Sequence, residues 1–146
     1  MQIAIIPARW KSQRIKNKNK INFLGKPIIY WPIIAAKKSK LFKKIYISTD
    51  SKKIAKISRK FGAEIPFIRP KKISDNKTEI IKVIQHAISN LEKKKIRFKY
   101  ICCIFATAPF INKKIFFKAF NKLKTGKYDF IFGAEKINYN HLRSFY

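Results

Sequence analysis

The sequence predicts an α/β sandwich built on a mainly parallel sheet. Short, continuously apolar runs at residues 3–6, 45–47 and 100–105 read as strands buried on both faces. Segments with apolar residues at helical spacing separate them, and the chain alternates strand with helix from end to end. Polar, basic loops follow the strand ends, which is where an open α/β sheet holds its ligands.

Each element has a local reason. The run at residues 3–6 stops at Pro7, and residues 8–22 carry no helical periodicity and read as a loop. Gly25-Lys26-Pro27 is expected to open a helix, because proline fits the first helical turn. Pro32, five residues on, kinks that helix or marks its true start. After the second strand, Ser48-Thr49-Asp50 suits a helix N-cap. The helix that follows carries Ile54, Ile57 and Phe61 on one face and ends at Gly62. Residues 64–69 form a short extended piece interrupted by Pro66. Thr78 is expected to cap a longer helix with Ile80, Ile84, Ala87, Ile88 and Leu91 on its apolar side. Asn112 caps another, with Ile115, Phe116, Ala119, Phe120 and Leu123, closed by Gly126. Residues 128–132 are expected to form a last strand.

The 146 residues suit one domain with a real core, and 47% hydrophobic content agrees with a globular chain. No apolar run reaches the eighteen or so residues of a membrane span, and the opening residues lack the pattern of a signal peptide, so a cytoplasmic placement is expected. The formal charge of +28 invites a nucleic-acid reading. The skews of 29 lysines to 6 arginines and 27 isoleucines to 5 leucines follow A/T-rich codons, however, and the lysines are spread along the whole chain. Drift explains them without a polyanion partner. A basic nucleic-acid-binding module is the competing class, and salt-dependent, non-specific adhesion to polyanions is expected in either case.

Cys102 and Cys103 are adjacent, so they point to opposite faces of a strand and make an awkward disulfide. With no CxxC pair and few ligands nearby they do not suggest zinc, and they are expected to be buried core residues. His86 lies inside a helix and reads as structural, and His141 as a surface residue. Trp31 and the phenylalanines at 116, 117 and 120 suit a core. No serine, histidine and carboxylate are spaced as in a hydrolase.

Chemistry concentrates after the first strand, in IPARWKSQRIKNKN, which places Arg9, Ser12, Arg14 and Lys18 within ten residues. Fixed guanidinium, ammonium and hydroxyl donors at a strand end can hold a nucleoside triphosphate, although a solvated basic loop is the plain alternative. Three of the six arginines, Arg9, Arg14 and Arg69, are expected near the strand ends.

Several motifs in order resemble the family of acylneuraminate and pseudaminic acid cytidylyltransferases, whose first strand and loop read IPARGGSKRIPRKN, followed by GKP. Matching positions are IPAR, Ser12, Arg14-Ile15, Lys18-Asn19 and Gly25-Lys26-Pro27. The likeness continues through Ser48-Thr49-Asp50, GAEIPFIRP at residues 62–70, Ser74-Asp75 with Thr78, and CCIFATAPFI at residues 102–111. The last stretches are closer to the pseudaminic acid branch. The resemblance implies a Rossmann-like nucleotidyltransferase fold, a three-layer sandwich, with residues 1–146 as a single nucleotide-binding domain. It implies transfer of CMP from CTP to a nine-carbon acidic sugar with release of pyrophosphate, magnesium as cofactor, and a homodimer in full-length members. By the same resemblance Arg9, Ser12, Arg14 and Lys18 hold the phosphates, with Arg9 and Lys18 carrying the transfer. Asn19 lies by the nucleotide, Arg69 approaches the cytosine, Thr107 sits near nucleotide or sugar, and Arg143 corresponds loosely to a further family arginine.

Three departures from the family pattern bear on activity. Trp10 and Lys11 replace paired glycines, whose freedom lets backbone approach phosphate. Gln13 replaces a lysine. Family members also continue beyond the length of this chain, and their later part supplies the magnesium aspartates, much of the sugar pocket and the dimer contact. The chain is therefore expected to be C-terminally truncated, with no metal ligand that can be named, and a non-catalytic remnant of such an enzyme is an alternative reading. The expected outcome for the purified 146-residue chain is that it forms no CMP-sugar from CTP, magnesium and pseudaminic acid. Detectable product in a chromatographic assay contradicts this.

Overall fold

The computed structural model describes residues 1–12, 15, 18–134 and 136. At its centre lies β1 (Gln2–Pro7), flanked by β4 (Lys44–Ser48) on one edge and β5 (Tyr100–Cys103) on the other. Both pairings are parallel, with Ile5 opposite Tyr46 on one side and Cys103 on the other. Ile3, Ala4, Ile5 and Ile6 are wholly buried. Such a run is what a central parallel strand requires, because its two faces are both covered.

Alternation along the strands sorts the core into two layers. Ala4, Ile6, Ile45 and Ile47 face α1 (Tyr30–Ser39), α2 (Lys52–Lys60) and α4 (Lys113–Lys124), meeting Ile33, Ala36, Ile54 and Phe116. Ile3, Ile5 and Tyr46 face α3 (Ile80–Lys93), meeting Ala87 and Leu91. The result is helix, sheet, helix: the expected three-layer α/β sandwich.

Several local expectations are corrected. Gly25-Lys26-Pro27 does not open a helix. Leu24 and Gly25, at φ 50° and 76°, make a tight reversal between the two-residue strands β2 (Asn22–Phe23) and β3 (Lys26–Pro27). Two consecutive positive φ values suit such hairpins, and glycine makes one of them cheap. The helix starts at Tyr30, so Pro32 falls in its first turn, where no backbone bond is lost. Ser51, not residues 48–50, caps α2, accepting from the Ile54 amide at 3.3 Å. At the start of α3, Glu79 occupies the cap position without a side-chain bond. The Thr78 hydroxyl instead donates to Asp75 at 2.6 Å. Asn112 does cap α4, accepting from the Lys114 and Ile115 amides at 3.0 and 3.3 Å.

The apolar faces are narrower than periodicity suggests. In α4 only Phe116 is buried, and Ile115 and Phe117 are exposed. In α3 the buried residues are Val83, Ala87 and Leu91, while Ile80 is exposed. Residues 128–132 form no strand: no ladder bonds join them to the sheet, and the Phe130 and Phe132 rings stack on each other while three-quarters exposed. Neither cysteine is fully buried, although Cys102 packs against the core cluster. Among the described residues β5 pairs only with β1, which leaves Cys103 exposed and Cys102 half-buried, its thiol pushed up to about 12 by burial. His86 is structural as expected, its ring edge-on to Phe67 and 3.2 Å from the Asn90 amide nitrogen. No helix among the described residues is long and apolar enough to cross a membrane.

Because Ile5 has no exposed surface and joins β1 to α3, Ile5→Ala is expected to destabilise the fold by roughly 2–5 kcal/mol. Urea unfolding should show a lower midpoint at an unchanged slope.

Candidate functional site

At the carboxyl end of the sheet, three chain segments converge. β1 delivers Arg9 on the residue after next, with the Ala8 amide still bonded to the Ser48 carbonyl at 2.9 Å. β4 delivers Thr49 and Asp50. The extended segment after α2 runs along β4, with the Glu64 amide on the Ile45 carbonyl at 2.8 Å. It ends with the Arg69 amide on the Thr49 carbonyl, also at 2.8 Å. That contact brings Arg69, distant in sequence, to the mouth of β1.

The loop after β1 is held at its base by two side chains. Asn19, buried in a short 3-10 turn (Lys18–Lys20), donates to the Arg9 carbonyl at 2.8 Å. Asp50 accepts the Trp10 amide at 2.7 Å. Arg9 in turn donates through Nη1 to the Asp75 carbonyl. The Asp75 carboxylate is held below its ordinary range first by the Thr78 hydroxyl and then by the Thr78 and Lys77 amides, with the Arg9 charge adding to this. These contacts fix the arginine between the first loop and the segment before α3.

A cleft of about 220 Å3 lies between these segments, lined by Arg9, Lys18, Asn19, Arg69 and Thr107 together with Asp75, Thr78, Val83 and Phe105. Arg69 is its most constrained charge. It is only 4% exposed, its Nε donates to Ser74 Oγ at 2.9 Å, and among the described residues no carboxylate forms an ion pair with it. Burial lowers its pKa, the nearby Asp50 charge opposes that fall, and Arg9 adds to it. A buried guanidinium on a cleft wall, with no hydrogen bond from its terminal nitrogens among the described residues, favours an anion or a polar acceptor in the cleft.

Of the residues singled out in the sequence, Arg9, Lys18, Asn19, Arg69 and Thr107 are therefore brought to one concavity. Ser12 is not on its wall; its Oγ is buried and has no hydrogen-bond partner among the described residues. Arg14 and Arg143 lie outside the described residues. Asp50, Ser74 and Asp75 were visible in the sequence only as motif matches, and their work as clamps on Trp10, Arg69 and Arg9 depends on segments brought together by folding. Phe105, read as part of a strand, instead lies exposed beyond β5 and lines the cleft.

Among the described residues the side chains alone make no closed cage for magnesium, an ion that usually needs only one or two carboxylates beside substrate phosphates. No group of three or more His, Cys, Asp or Glu side chains that could hold a metal is gathered among the described residues. Asp75 lines the cleft and accepts from Thr78 and Lys77 through Oδ1, and Asp50 accepts the Trp10 amide through Oδ1.

Comparison with known proteins bears on the family and the fold. The pseudaminic acid cytidylyltransferase of Campylobacter jejuni serotype O:2 is 39% identical over 144 residues, 99% of this chain and 62% of that protein. A Helicobacter pylori protein, described as a pseudaminic acid cytidylyltransferase and UDP-2,4-diacetamido-2,4,6-trideoxy-beta-L-altropyranose hydrolase, is 35% identical over 98% of this chain and 28% of its own length. The chain thus spans less than two thirds of the relatives it matches. Among solved structures, a CMP:2-keto-3-deoxy-manno-octonic acid synthetase complexed with CTP superimposes with a TM-score of 0.70 at 17% identity. It covers 85% of this chain and 47% of that one, and so attests the fold. A cytidylyltransferase from Leptospira borgpetersenii gives 0.64 at 19% identity, over 86% of this chain and 50% of that one. The family described as Cytidylyltransferase matches residues 3–142, nearly the whole chain, and to that family this protein belongs.

Proposed function

We infer that this chain forms the nucleotide-binding part of a transferase that moves CMP from CTP to a nonulosonic acid, pseudaminic acid by the relatives' names. The observation that carries the reading is Arg69: a buried guanidinium with no ion-pair partner among the described residues, facing a cleft that also gathers Arg9 and Lys18. Positive charge fixed in a partly dry site stabilises an incoming polyphosphate and the charge that develops as it reacts. In this reading Arg9 and Lys18 neutralise the phosphates, Asn19 and Thr107 lie by the nucleoside, and Arg69 meets the base or the α-phosphate.

The transfer forms a bond from the sugar's anomeric hydroxyl oxygen to the α-phosphorus of CTP. It breaks the bridge from the α- to the β-phosphate, so that pyrophosphate leaves and the hydroxyl proton passes to water. The chain's contribution is positioning and charge neutralisation. The relatives' remaining length leaves room for a sugar pocket, a metal site and a dimer contact, and a cytoplasmic setting suits a CTP-dependent reaction.

Thermal unfolding tests the reading. CTP at a hundred times its Kd should stabilise the chain by about 2.7 kcal/mol, and ATP and GTP should do so far less. Arg69→Ala is expected to abolish that protection, judged as the change in Tm between the free and nucleotide-loaded variant, so that any intrinsic destabilisation cancels. Equal protection by all nucleotides, or full protection of the variant, contradicts the assignment.

A further inference from the structure

Of the charged side chains on the cleft wall, Arg69 alone is buried, and the fold holds it at both ends. Its backbone amide is bound to the Thr49 carbonyl at 2.8 Å, and its Nε donates to Ser74 Oγ at 2.9 Å. Among the described residues it makes no ion pair, although the Arg9 charge pushes on it and the Asp50 charge pulls. A long side chain under opposed pulls keeps several orientations unless a directional contact fixes its plane.

The Ser74 hydroxyl has the polarity for that task. A hydroxyl carries one proton and two lone pairs. Its proton goes to the Pro70 carbonyl at 2.8 Å, so towards Arg69 it can only accept. The serine is itself held, because its amide donates to the Lys71 carbonyl at 2.9 Å across the short 3-10 turn Lys71–Ile73. A guanidinium is planar, and a bond at Nε engages the donor on the flank of the fork. The terminal nitrogens, which make no hydrogen bond among the described residues, are left to the cleft that Arg69 lines. The next residue, Asp75, accepts from Arg9 Nη1 through its carbonyl. Adjacent residues of one turn therefore hold two like charges that reach the opening from different segments.

We propose that Ser74 is a positioning residue for the cleft: its hydroxyl sets the plane of the Arg69 guanidinium and aims the terminal nitrogens at acceptor atoms of CTP. The consequence for binding rests on the CTP reading of the cleft, whereas the anchor itself does not. The motif match through Ser74-Asp75 assigns the serine no such role. Against the push of Arg9, the hydroxyl is the one side-chain contact that keeps the fork in place among the described residues.

NMR of the arginine Nε protons in the isotopically labelled chain tests the anchor directly, since the sequence holds only 6 arginines and Arg69→Lys identifies the resonance that matters. The Arg69 Nε proton is expected to exchange slowly with water. Ser74→Ala is expected to speed that exchange about tenfold and to weaken CTP about tenfold by calorimetry. Ser74→Thr keeps the hydroxyl at a φ of −120°, which a β-branched residue accepts, and is expected to restore both. Backbone amides of β1 and β4 should exchange alike in all three proteins, which separates lost positioning from general loosening. Nε exchange unchanged by Ser74→Ala overturns the proposal, and so does threonine as impaired as alanine. CTP affinity untouched while the Nε proton is freed overturns it too, because the aim of the fork then has no effect on binding. Nε protection that depends on Ser74 in a chain that binds no CTP leaves the anchor standing and removes the nucleotide reading instead.

Discussion

Strand β1 has a partner strand on each edge and helices over each face, and most of the molecule follows from that constraint. Residues with no exposed surface from Ile3 to Ile6 leave no place along the strand where a polar group could meet water. The first opportunity comes past Pro7, at the carboxyl end, where the sheet hydrogen bonds run out and Arg9 emerges. Arg9, Lys18 and Arg69 then line the cleft at that one opening. The adjacent strand β4 ends in step with β1 and supplies Asp50, while the segment running along β4's outer edge returns Arg69 to the same mouth.

What keeps the opening ordered is a small set of polar contacts across segments far apart in sequence. Asn19 on the Arg9 carbonyl and Asp50 on the Trp10 amide clasp the basic loop at its base. Arg9 on the Asp75 carbonyl and Ser74 on Arg69 Nε join the loop to the stretch before α3. All but the exposed Arg9 contact satisfy a partly buried backbone or guanidinium group that would otherwise go unpaired. The same contacts leave Arg69 facing the cleft with no ion-pair partner among the described residues.

The basic composition looks different once folded. Taken alone, +28 points to nucleic acid. In the structure the lysines lie scattered over exposed helix faces and loops, and the two ion pairs among the described residues are too few to organise them. What distinguishes a site from this background is confinement, seen in the burial of Arg69.

Sequence by itself determined the order of the three sheet strands and the four α-helices, the parallel sheet, the Asn112 cap and the basic loop after β1. These follow from short-range regularities: a doubly buried strand must be apolar throughout, and a cap must lie within three residues of the amides it serves. The motifs also singled out Arg9, Lys18, Asn19, Arg69 and Thr107. Only the tertiary structure decided that these five share a wall while Ser12 does not, that Thr78 serves Asp75 and not a helix end, and that residues 128–132 stay outside the sheet. Likewise, nothing local says that Cys103 is exposed, because that depends on which strand neighbours β5. Propensity and spacing act over a few residues, whereas burial, pairing and convergence of charge depend on which distant segments the fold brings into contact.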